Sequence, residues 1–139
     1  MKLSARNQLA GKVVNVQEGA VNGIVTLDCG NITVSGTISM AAVKELGLVP
    51  GKEAVAIIKA TEVMIGLGDL AISARNKFSG KVASVTEGAV NDSVVLDIEG
   101  GKCITAMISR NAVKELGLEA GKEAVAVIKA TSVMFGVED

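Results

Sequence analysis

The chain states the same text twice. Ser4-Ala5-Arg6-Asn7 returns as Ser73-Ala74-Arg75-Asn76, and Glu18-Gly19-Ala20-Val21-Asn22 returns as Glu87-Gly88-Ala89-Val90-Asn91. Val43 to Leu48 returns as Val113 to Leu118, and Gly51 to Ala56 as Gly121 to Ala126. The offset is 69 residues at Asp28/Asp97 and 70 at Ile38/Ile108, so the second copy carries one extra residue, near Glu99-Gly100-Gly101. Self-similarity at this period means two copies of one structural unit rather than the single domain that 139 residues would otherwise suggest. We place the copies at 1–67 and 72–139, joined by a linker at 68–71.

A unit of this size buries only about 60% of its unfolded surface, so its own core is marginal. Disulfides, a metal or oligomerisation are the usual supplements. Two cysteines and no histidine argue against the first two. Cys29 aligns with Ile98 and Cys103 with Thr33, and neither lies in a CxxC pattern, so both read as small strand residues. With 49% hydrophobic residues and 1% aromatics, the chain has an aliphatic surplus that suits subunit interfaces. The longest apolar runs fall well short of the roughly 18 residues needed to span a bilayer. The start, Met1-Lys2-Leu3-Ser4-Ala5-Arg6, has no signal-peptide core. We expect a cytoplasmic protein with no membrane partner.

The elements are mainly strands. Val14 to Gln17 and Val25 to Asp28 alternate apolar and polar residues, and Gly19 with Asn22-Gly23 punctuates the turn between them. Ile32 to Ile38 reads as a third strand, Glu53 to Lys59 as a fourth, and Val63 to Ile65 as a short fifth. One helix interrupts them: Ser39 is an N-cap before Met40 to Leu46, and Gly47 is the residue that ends it. The second copy repeats this with Ser109, Ala112 to Leu116 and Gly117. Strand-strand-strand-helix-strand in this length is the order of a five-stranded OB-like barrel. The fold class is therefore mainly β: two tandem OB-like five-stranded barrels, each with one short helix.

No catalytic set is present. Without histidine there is no Ser-His-Asp triad, and the cysteines lack a base, so we expect no enzyme. There is no phosphate loop or dinucleotide fingerprint, and we expect no cofactor and no metal cation held by side chains. Two Phe, no Tyr, no Trp and a net charge of −1 are not the footprint of a nucleic-acid binder. What both copies keep is a set of anion donors. Arg6 and Arg75 carry a planar fork of N–H groups, with neutral donors at Ser4, Asn7, Ser73 and Asn76, and backbone N–H at Ala5 and Ala74. Ser39 and Ser109 cap helices, and a helix start also favours an anion. Lys59 and Lys129 end apolar runs, where a lysine either blunts a strand edge or answers a negative partner. The turns Gly19-Ala20-Val21-Asn22 and Gly88-Ala89-Val90-Asn91 are sufficient as turns, yet their backbone N–H groups, gathered on a symmetry axis, would also hold an anion.

Taken together, Ser-Ala-Arg-Asn opening each unit, Gly-Ala-Val-Asn in the first turn, Lys-Glu-Leu-Gly-Leu, and Val-Ile-Lys-Ala-Thr-x-Val-Met near the end of the second copy resemble the molbindins, or Mop domains, of the Mop/TOBE family. The resemblance covers the chain twice. It implies binding and storage of molybdate or tungstate in a homotrimer that supplies six barrels. It places one kind of site between barrels, at Ser4, Ala5, Arg6, Asn7, Ser39 and Lys59 and at Ser73, Ala74, Arg75, Asn76, Ser109 and Lys129. It places another on a threefold axis, at the backbone of Gly19 to Asn22 and Gly88 to Asn91. The alternative it leaves is a molybdate-sensing regulatory or transporter-associated module acting through a partner protein.

Overall fold

A computed structural model describes residues 2–138. In chain order its elements are β1 (Asn7–Glu18), β2 (Asn22–Asp28), β3 (Thr33–Ser39), α1 (Met40–Leu46), β4 (Glu53–Ile58), β5 (Met64–Gly66), β6 (Asn76–Thr86), β7 (Asn91–Ile98), β8 (Lys102–Ser109), α2 (Arg110–Leu116), β9 (Glu123–Ile128) and β10 (Met134–Gly136). The first strand is longer than its alternating stretch. Asn7, Leu9 and Val13 point inward, but Gly11 conceals the period because a Cβ there would lie 2.3 Å from Asp28 O. Glycine lets the two backbones close at that point. A bulge between Val13 and Asn15, repeated between Val82 and Ser84, bends the long strand so that one segment serves both β2 and β4.

The strands form two antiparallel five-stranded sheets, ordered β10-β4-β1-β2-β3 and β5-β9-β6-β7-β8. The fifth strand of each is the point of interest. Met134 to Gly136 pairs with Ile57 to Val55, and Met64 to Gly66 pairs with Val127 to Val125. Each barrel thus takes its closing strand from the other repeat. The compact units are 1–59 with 129–139, and 60–128, whereas the sequence repeats break at 68–71.

The first unit packs around Val25, Leu27, Val34, Leu48 and Ile58, all essentially solvent-free. The second packs around Val94, Leu96, Ile104 and Ile128. Each such side chain contributes about 1.5–3 kcal/mol. In the first unit β3 meets β10 where Gly36 faces Phe135; a Cβ on Gly36 would lie 2.6 Å from the ring. The helices end as expected: Gly47 and Gly117 adopt φ of 64° and 62°, and their N–H groups return to Lys44 O and Lys114 O. The extra residue of the second copy sits in the β7–β8 connection, a short 3₁₀ turn at Glu99–Gly101 in which Gly100 has φ of 80°.

Candidate functional site

Asn7 begins β1 and is 2% exposed; its Nδ2 donates to Ile58 O at 3.2 Å. Asn76 repeats this with Ile128 O, also at 3.2 Å. A buried amide left unpaired would cost about 1–3 kcal/mol, so this bond holds the start of β1 against the end of β4. Arg6 and Lys59 lie one step beyond the Asn7–Ile58 pair. Arg75 and Lys129 lie one step beyond Asn76–Ile128. All four cations are exposed, and among the described residues none has a carboxylate within 4.0 Å. Each repeat therefore sets two uncompensated positive charges beside a buried asparagine. Asn7 and Asn76 have part of their donor capacity spent on the fold, which the sequence does not reveal.

The segment before β1 is held by a residue not singled out from the sequence. Gln8 Nε2 donates to Leu3 O at 3.1 Å and to Ala5 O at 3.0 Å, fixing the stretch that carries Ser4 and Ala5. The second repeat has lysine here, and Lys77 Nζ donates to Leu70 O at 3.1 Å. Because the copies differ at this position, repetition carries no signal for it.

Ser39 Oγ accepts from Ala42 N, and Ser109 Oγ from Ala112 N, both at 3.1 Å. Each hydroxyl keeps its own proton to donate. Ser39 pairs across the ladder with Asn22, and Met40 N donates to Val21 O at 2.8 Å, so the β1–β2 turn and the helix start share one surface. The turn is tight: a Cβ on Gly19 would lie 2.3 Å from Asn22 O, and on Gly88 2.1 Å from Asn91 O. This surface lies beyond the far end of β1 from Arg6 and Lys59, and the 12 residues of that strand would span roughly 36 Å if extended, before the bulge shortens it.

The second repeat adds a cluster of its own. Asp92, 2% exposed, accepts from Gly88 N at 3.1 Å and faces Arg110 Nε at 3.5 Å. Arg110 also donates to Gly88 O and lies 4.0 Å from Glu87. The first repeat has Gly23 and Met40 in these places. Cys29 is buried, whereas Cys103 is exposed, its Sγ 3.0 Å from Asp97 Oδ1. The hydrogen bond to Asp97, then burial, then the carboxylate's charge push its thiol pKa up. A cavity of about 900 Å³ in the first unit lies apart from the anion donors, among Lys12, Asp28, Lys52, Glu53 and Glu138. Among the described residues no cluster of His, Cys, Asp and Glu could hold a metal ion, and no helix is long and apolar enough to cross a membrane.

Known proteins are similar to this chain in sequence and fold. The TOBE domain matches residues 3–65 and again 72–135. A solved structure of the cytoplasmic molybdate-binding protein ModG, with molybdate bound, superposes with a TM-score of 0.96 at 41% identity, covering 99% of this chain and 100% of that one. The probable molybdenum-pterin-binding protein of Haemophilus influenzae is 63% identical over 68 residues, 48% of this chain and 99% of its own length. The molybdenum transport protein ModE of Herbaspirillum seropedicae is 39% identical over 99% of this chain. The chain spans about half the length of that relative, 52%. These relatives are named for binding or transport and not for a reaction. Two family matches that together cover most of the chain, on two barrels of the same build, establish that it belongs to the TOBE-domain family and carries two of its domains in tandem.

Proposed function

We propose that this chain binds molybdate or tungstate and stores it in the cytoplasm for molybdenum homeostasis, without catalysing a reaction. The observation that carries the reading is the full-length likeness to a structure described as cytoplasmic and solved with molybdate bound. The donor set agrees with it. Molybdate is a tetrahedral dianion, and holding it takes a shell of N–H and O–H donors and about two positive charges, through charge-assisted bonds. Arg6 with Lys59, and Arg75 with Lys129, supply that charge once per repeat. Ser39 and Ser109 add hydroxyl donors from the opposite end of the long strand, so a complete shell draws on more than one barrel. We take the functional repeats as 1–67 and 72–139, and the working assembly as a homotrimer of six barrels, with inter-barrel sites at the Ser-Ala-Arg-Asn, serine and lysine positions and axial sites at the two glycine turns. The exposed valines Val21 and Val90, each 74% exposed at a turn tip, suit such an interface.

Native mass spectrometry of the 14.1 kDa chain with molybdate, and with sulfate as competitor, tests this. A trimer that takes up several molybdates and ignores sulfate is the expected result. A folded protein with no saturable molybdate uptake refutes the proposal. The second reading, a sensing or transporter-associated module, is favoured by the match to half of a molybdenum transport protein. A pull-down partner whose capture changes with molybdate would select it.

A further inference from the structure

The two repeats disagree at one correlated pair of positions beside the glycine turn. In the first repeat Gly23 packs under Met40: a Cβ on Gly23 would lie 2.7 Å from Met40 Sδ. In the second, Asp92 and Arg110 stand there as an ion pair. Asp92 is 2% exposed, so it would lose its counter-ion if Arg110 changed alone. The Asp92–Arg110 pair adds one charge of each sign and leaves the net charge of the turn unaltered. What it changes is donor supply. Gly88 N–H is bonded to the Asp92 carboxylate, and Gly88 O is taken by Arg110. Arg110's own charge is engaged by Asp92 and Glu87. In the first repeat no carboxylate stands at position 23 to take up Gly19 N–H.

We infer that Asp92 and Arg110 are positioning residues that make the second repeat's turn the weaker of two unequal oxyanion sites, by withdrawing the Gly88 N–H and fixing a carboxylate behind it. This rests on the proposed oxyanion function and goes beyond it: the two turns fill in order, the Gly19 turn first. A donor restored to an anion is worth about tenfold in affinity.

The experiment uses the full-length ¹⁵N-labelled chain, with amide exchange and sodium molybdate titration followed at Gly19 and Gly88. In the ligand-free protein Gly88 N–H exchanges more slowly than Gly19 N–H. On titration the Gly19 resonance saturates at about tenfold lower molybdate. Asp92→Gly with Arg110→Met, which copies the first repeat, speeds Gly88 exchange and brings its titration to that of Gly19. The reciprocal Gly23→Asp with Met40→Arg weakens the Gly19 turn and serves as the second test should the first pair fail to fold. Equal titration of both turns in the unaltered protein overturns the inference. So does weaker binding at Gly88 after the Asp92/Arg110 replacement, which would make Arg110 itself an anion ligand. If neither turn responds while molybdate binds elsewhere, this inference fails and the storage reading stands. If no molybdate binds anywhere, the storage reading fails first.

Discussion

Arg6 and Arg75 show how a residue's surroundings separate function from fold. Both are exposed and neither has a carboxylate partner among the described residues, so their removal breaks no ion pair there. Arg6→Ala and Arg75→Ala should change unfolding free energy by no more than about 0.5 kcal/mol. Molybdate affinity should fall on the order of ten- to a hundredfold, the range for hydrogen bonds to a charged group. Urea unfolding beside isothermal titration checks both halves; unfolded variants would mean the arginines brace the strand. The cysteines give a second contrast. Asp97 holds the Cys103 thiol above its ordinary pKa, which lowers its thiolate fraction at any given pH. Asp97→Asn should therefore speed iodoacetamide alkylation of Cys103 near pH 8, while buried Cys29 stays unreactive until the protein unfolds. Mass spectrometry of the alkylated peptides reads both. At this scale the sequence was legible in the helix caps that both copies keep, Ser39 and Ser109, whose hydroxyls accept from Ala42 N and Ala112 N. It was silent where they differ: Gln8, Asp92 and Arg110 surfaced only when their partners were visible.

Among the elements, alternation and punctuation located nearly every strand and both helices, and missed the first half of β1 because Gly11 breaks the apolar period. The destination of the fifth strand was not legible from periodicity. Val63 to Gly66 and Val133 to Gly136 are near-identical short runs that fit either barrel by pattern. What distinguishes them is volume. Phe135 meets Gly36 in the first unit, while the second unit has Ala106 at the position of Gly36 and Ile65 at that of Phe135. With unexchanged strands, Phe135 would meet the alanine, whose methyl group would occupy space its ring requires. Gly36→Ala should thus cost about 1–3 kcal/mol by overpacking. Adding Phe135→Ile, which copies the second unit, should recover much of it. A double-mutant cycle in urea showing no coupling between positions 36 and 135 would contradict this packing account.

For the whole molecule, the exchange ties together two barrels that the sequence presents as consecutive. A protease site inserted after Ala71 should yield two fragments, each still holding a strand in the other's sheet. They should co-elute in native buffer and part only in denaturant; separation in buffer alone would mean the short strands add little. The same pairing makes unfolding of one repeat withdraw a strand from the other repeat's sheet, so amide exchange in β4 and β9 should report one shared opening. A single repeat that closed its barrel in the same exchanged way would borrow a strand from a second molecule, at a yield set by protein concentration. Joining the repeats makes that meeting intramolecular, at an effective concentration on the order of millimolar for a short linker. Completion of each barrel is thereby uncoupled from how much of the protein a cell contains, and dilution acts only on the contacts between chains.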